Sequence, residues 1–102
     1  MDLKPGSRWK SAVCDTEVVV VRPPKTPVSL ECGGHPMVAH AVARPEGLSV
    51  SENHAGGSQM GKRFADEVSG LEVLCSKAGA GALAIDGQPI AAKDAKKLPA
   101  SD

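Results

Sequence analysis

The chain has only two aromatic residues in 102, Trp9 and Phe64, and no tyrosine. That leaves no platform on which nucleic-acid bases could stack. An excess of one charge is missing too: twelve Lys and Arg balance twelve Asp and Glu, and no run of like charge exceeds Lys96-Lys97. A neutral chain with dispersed charge is not steered towards nucleic acid or anionic lipid, so no nucleic-acid partner is expected. No apolar run approaches the roughly 18 residues of a membrane-spanning helix, and no membrane partner is expected either. The opening segment, Met1 to Gly6, lacks the apolar stretch of a signal peptide, which sets a cytoplasmic expectation. Cysteines are three, Cys14, Cys32 and Cys75. An odd count without a signal peptide argues against a disulfide scaffold and leaves reduced thiols or metal ligands.

Turn chemistry is what the sequence has in quantity, with 11 Gly and 8 Pro. That demands many turns without reaching a disordered composition. Val18-Val19-Val20-Val21 is the strongest strand signal, because β-branched side chains favour the pleated backbone. Pro23-Pro24-Lys25-Thr26-Pro27 must turn, since proline cannot feed a ladder, and Val28 to Glu31 alternates as a return strand would. The pattern recurs: Leu71 to Cys75 reads as a strand, Ala78-Gly79-Ala80-Gly81 as its turn, Ala82 to Ile85 as the return, and Asp86-Gly87 as a tight turn. Ser49 to Gly61, rich in Gly and Ser, predicts a mobile connection. Ala91 to Lys97 predicts one helical turn, followed by a frayed tail.

Laying Trp9 over Phe64 aligns fourteen residues without a gap. Val13 meets Val68, Glu17 meets Glu72, Val18 meets Val73, Val19 meets Leu74 and Arg22 meets Lys77. With two residues removed from the proline-rich turn the match resumes: Leu30 with Leu83, Gly34 with Gly87, Pro36 with Pro89, Met37 with Ile90. A unit of about 28 residues cannot bury enough surface to fold alone, whereas two units facing across a pseudo-twofold axis share one core. The reading is therefore a single all-β domain, 1–102. It comprises two β-hairpin units, 7–37 and 64–92, joined by a long connection, 38–63, and ending in a tail, 93–102, in the manner of a fused homodimer.

The first unit carries an aromatic-Lys-x-x-x-Cys step, Trp9-Lys10-Ser11-Ala12-Val13-Cys14. It ends in Leu30-Glu31-Cys32-Gly33-Gly34-His35-Pro36-Met37. This resembles the desulforedoxin domain, also found at the N-terminus of desulfoferrodoxins, with its aromatic-Lys-Cys-x-x-Cys start, hairpin and Leu-x-Cys-Cys-Gly-x-x-Met ending. The resemblance implies a scaffold whose four cysteines hold iron or zinc and whose free-standing members pair as dimers. The four ligand positions fall on Ser11, Cys14, Cys32 and Gly33, and in the second unit on Asp66, Ser69, Ile85 and Asp86. Two cysteines of four remain in the first unit and none in the second. Loss of thiolates removes most of the binding free energy of such a site.

Three readings of Cys14 and Cys32 stay open. They are two buried reduced thiols; or, with His35 in a Cys-x-x-His spacing, ligands of a zinc or iron site completed by Asp15, His40 or water; or a local disulfide. Cys75 reads as a small buried hydrophobe. His40 and His54 read as solvated loop residues, Lys77 to Ala82 as a hairpin turn and not a phosphate loop, and Glu17 and Glu72 as solvent-facing charges on edge strands.

No complete catalytic set is present, so no catalytic residue and no cofactor are assigned. The leading expectation is a non-catalytic binding or accessory module that docks on a larger protein partner or self-associates. The first alternative is a zinc or iron protein using Cys14, Cys32 and His35, for structure or electron transfer. The second is a thiol-redox protein. It comes last because no basic neighbour clearly lowers a thiol pKa.

Overall fold

The structure is a computed structural model that describes residues 3–92. The expected tail and most of the expected helical turn lie outside the described residues. Ala91–Ala92, where that turn was to begin, is instead a strand.

Ten strands form among the described residues: β1 (Arg8–Lys10), β2 (Glu17–Arg22), β3 (Leu30–Cys32), β4 (His35–Pro36), β5 (Val38–Ala39), β6 (Arg63–Ala65), β7 (Glu72–Lys77), β8 (Leu83–Ile85), β9 (Gln88–Pro89) and β10 (Ala91–Ala92). A short 3₁₀ turn, Glu52–His54, stands between β5 and β6. All pairings are antiparallel. One sheet runs β10-β6-β7-β2-β1-β5 and the other β4-β3-β8-β9. The all-β expectation holds.

Both orders read the same from either end once β1 is exchanged for β6, β2 for β7, and so on to β5 for β10. The register carries this to single residues. At the centre of β2–β7, Val19 faces Leu74, flanked by Val18–Cys75 and Val20–Val73. At the centre of β3–β8, Glu31 faces Ala84, flanked by Leu30–Ile85 and Cys32–Leu83. Residues that align in the sequence thus meet each other in the middle of each ladder. Trp9 pairs with Val18 and Ala39, and Phe64 with Val73 and Ala92. Backbone bonds recur at aligned positions: Ser11 N–H to Thr16 carbonyl and Asp66 N–H to Leu71 carbonyl, both 2.8 Å; Gly6 N–H to Val20 carbonyl and Gly61 N–H to Cys75 carbonyl, also 2.8 Å.

The expected return of β2 onto β3 does not occur. Both edges of β2 are taken, by β1 and β7, while β3 lies in the other sheet between β4 and β8. Pro23, Pro24 and Pro27 carry the chain across because they cannot donate to a ladder. The hairpins are β1–β2 and β3–β4, with β6–β7 and β8–β9 at the aligned positions. The expected solvent-facing role of Glu72 fails for the same reason. β7 is an inner strand, so Glu72 is buried, and its carboxylate accepts a hydrogen bond from Arg63 at 3.4 Å. Glu17, on inner strand β2, lies 3.3 Å from His40 Nε2.

The valine run alternates as its strand requires. Val18 and Val20 are fully buried and Val21 is exposed. They join Leu30, Cys32, Leu71, Val73, Cys75, Leu83 and Ile85 in one core drawn from both sheets, with Trp9 packed at its margin. Cys75, buried as expected, donates its thiol hydrogen to the Lys77 carbonyl at 3.2 Å. Complete burial of each such side chain contributes about 1.5–3 kcal/mol against exposure.

The segment 38–63 is more than a connection. It supplies β5 and the first residue of β6. Nor is Ser49 to Gly61 untethered. The Ser51 N–H donates to the Gly33 carbonyl at 2.8 Å, the His54 carbonyl accepts from Ala82 at 2.7 Å, and Ser58 and Gly79 exchange two backbone bonds of 3.0 and 3.2 Å. The Gly and Ser content that suggests mobility is used here for close backbone approach and hydrogen bonding.

Truncation of Leu30, fully buried where the two sheets share the core, should cost about 2–5 kcal/mol as Leu30→Ala. Val68→Ser, at a side chain 91% exposed, should stay within about 0.5 kcal/mol of the parent. Urea denaturation curves of the two variants check both values.

Candidate functional site

After β1 the chain bends sharply at Ser11. The Ser11 N–H closes a loop onto Thr16, and its hydroxyl oxygen accepts the N–H groups of Val13 and Cys14, each at 3.1 Å. This is the local competition between a serine side chain and regular backbone bonding that favours turns. The bend brings Cys14 Sγ to 3.8 Å from Cys32 Sγ. Cys32 sits on β3 with no exposed surface, whereas Cys14 is partly exposed. All three cysteines are free thiols.

Polar groups surround Cys14. The Thr16 hydroxyl, itself fully buried, lies 3.2 Å from its sulfur, and the Gly81 N–H donates to that sulfur at 3.4 Å. Burial alone would push the Cys14 thiol up. The hydroxyls of Ser11 and Thr16 and the backbone of Thr16 and Gly81 overcome it and bring the pKa down to about 7. For Cys32 burial wins: its thiol is pushed up to about 12, against hydrogen bonds from Thr16 and Ser11 and with the Cys14 charge adding to the rise. At neutral pH the pair is asymmetric, a partly ionised outer sulfur beside a protonated inner one. No basic residue is needed for this, which is what the sequence argument about basic neighbours missed.

Of the residues expected to bind metal, the structure brings Cys14 and Cys32 together but not His35. The His35 ring Nε2 lies 3.1 Å from the Ser49 carbonyl. The residues considered as a fourth ligand face other partners, Asp15 towards Arg44 at 4.0 Å and His40 towards Glu17. Among the described residues no three His, Cys, Asp or Glu side chains converge on a point where a metal ion could sit. The donors at the four implied positions do not fit a four-thiolate cage. Ser11 presents a hydroxyl and Gly33 no side chain, and a Cβ at Gly33, where φ is +67°, would stand 2.7 Å from Val13 Cγ2.

The aligned positions of the second half do structural work. The Asp66 carboxylate is held below the usual range by the Ser69 hydroxyl first and then by the Ser69 N–H, which it accepts at 3.0 Å. The Asp86 carboxylate accepts the Ser29 N–H at 2.9 Å, and Ile85 is core.

The sequence reading of Lys77 to Ala82 as a hairpin turn misses its role. The segment crosses between the sheets and lies over the thiol bend. A Cβ at Gly79 would collide with the Thr16 hydroxyl and amide nitrogen, and one at Gly81 would stand 2.8 Å from Gly33 N and 3.0 Å from Cys32 Sγ. The alternation of glycine at 79 and 81 is the sequence signal for that approach. No family model, curated protein or solved structure matches this chain.

Two outcomes follow from this geometry. Iodoacetamide on the native protein should label Cys14 alone. The rate should climb as pH rises through about 7, with Cys32 and Cys75 labelled only after unfolding; peptide mass spectrometry reads the sites. Gly79→Ala should lower stability by about 1–3 kcal/mol through overpacking against Thr16, read by thermal unfolding.

Proposed function

We propose that the chain is a thiol–disulfide redox module in which Cys14 and Cys32 interconvert between dithiol and disulfide on a duplicated, desulforedoxin-like scaffold. The observation that carries this reading is the 3.8 Å contact between a partly exposed sulfur and a buried one. Closing from that contact to a bond of about 2.05 Å brings the sulfurs together by less than 2 Å. In the forward step the Cys14 sulfur attacks a disulfide R–S–S–R, and one R–SH leaves. Cys32 then displaces the second R–SH from Cys14, its proton leaving with that thiol. One dithiol and one external disulfide become one internal disulfide and two thiols.

The scaffold reading has its own support. The matched strand orders and aligned backbone bonds are those a duplication would leave. The implied ligand positions also cluster in the fold: Ser11 at both sulfurs and Gly33 beside Cys32. We place the redox reading ahead of the accessory-module one because only it uses the asymmetry of the thiol pair.

Equilibration with excess glutathione disulfide should remove two of the three reactive thiols, counted after unfolding, and leave Cys75 free. Cys32→Ser should abolish the internal disulfide. Three thiols persisting at every glutathione ratio would overturn the proposal.

A further inference from the structure

We propose that Ser58 and Gly81 are positioning residues for the Cys14 sulfur, so that the reactive thiol of the first half is completed by a backbone donor of the second half that the connection holds in place. The inference rests on the redox reading of Cys14 and adds the means by which that sulfur is held. Gly81, far from Cys14 in the chain, donates its N–H to the sulfur at 3.4 Å. The same residue is tethered through its next peptide unit: the Gly81 carbonyl accepts the Ser58 hydroxyl at 2.7 Å. Ser58 is itself buried and pinned by its two backbone bonds to Gly79. On the far side the Ala82 carbonyl accepts the Gly33 N–H at 3.1 Å, next in chain to Cys32. A serine in a segment far from either cysteine therefore anchors the residue whose amide meets the thiol.

The two halves differ at this point, which ties the arrangement to the sulfur and not to the scaffold. Counting back from the match of Leu30 with Leu83, Val28 stands where Gly81 does. The first half's crossing segment meets a turn without a thiol, where the Lys25 N–H donates to the Ser69 carbonyl at 2.6 Å, and its Val28 side chain packs against the core. The second half's faces Cys14 and Cys32, and there a side chain is excluded by Gly33 and Cys32.

An amide donor favours an anionic sulfur and has little to offer a neutral disulfide. Loosening it shifts the couple towards disulfide. Ser58→Ala should move the dithiol–disulfide equilibrium on the order of fivefold towards the oxidised form, or ~20 mV more negative for this two-electron couple. Ser58→Thr, which keeps the hydroxyl, should restore the parent value. An unchanged midpoint in Ser58→Ala, alongside a lowered thermal midpoint, would reduce Ser58 to a structural role and overturn the inference. A second measurement needs no variant of Ser58. In ¹⁵N-labelled full-length protein the Gly81 amide resonance should move on oxidation while that of Gly87 stays, and a stationary Gly81 overturns the inference. If the wild-type thiols never form the disulfide, the redox reading falls by itself. Cys14→Ala then decides the positioning role: movement of the Gly81 amide supports it and a stationary resonance overturns it.

Discussion

The β2–β7 ladder is the constraint on which the rest of the molecule depends. It joins the two halves through Val18, Val19 and Val20 facing Cys75, Leu74 and Val73, and it occupies the edge of β2 that a return strand would otherwise take. With both edges of β2 filled, the chain after Arg22 has to leave the sheet. It crosses on three prolines and starts a second sheet, in which β3 and β8 repeat the same head-to-head pairing. Neither half alone has enough apolar side chain for a core, and the shared core of Val18, Val20, Leu30, Leu71, Val73 and Leu83 is the energetic reason the halves associate.

That crossing also explains how a thiol site is assembled in a chain with so little local signal for one. Because β7 and β8 lie in different sheets, the segment between them must pass over the first half, and it does so at Thr16, Cys32 and Gly33. Close approach of backbone to Thr16 and to the Cys32 sulfur is possible only where Cβ atoms are missing, at Gly79 and Gly81 respectively. The result is a sulfur, Cys14, that is polarised by hydroxyls and an amide, next to a second sulfur, Cys32, whose burial holds its proton. Hydrogen-bond donors substitute for the positive charge usually invoked for reactive thiols.

Several features were legible in the residues. The valine run as a strand, the Asp86-Gly87 turn and the burial of Cys75 follow from strand propensity and turn chemistry. So did the alignment of Trp9 with Phe64, whose ladder partners correspond. Other features were not legible, for physical reasons. A proline-rich loop reads alike whether its flanking strands pair with each other or with distant strands, since proline only forbids donation and does not choose a partner. Glu72 reads as exposed until β7 is known to be an inner strand. Ser58 sits among glycines and serines that resemble a flexible tether, and its bond to Gly81 is 23 residues away in sequence.

The sequence by itself determined local conformation: which segments extend, where the backbone turns with positive φ, and which side chains need a core. Those properties depend on each residue's own sterics and polarity. Tertiary structure alone decided that β2 pairs with β7 instead of β3, that Cys14 meets Cys32 at 3.8 Å, and that a glycine amide from the other half reaches the outer sulfur. Such contacts join residues far apart in the chain, and their energies depend on burial and on donor geometry that exist only once both sheets have closed on the common core.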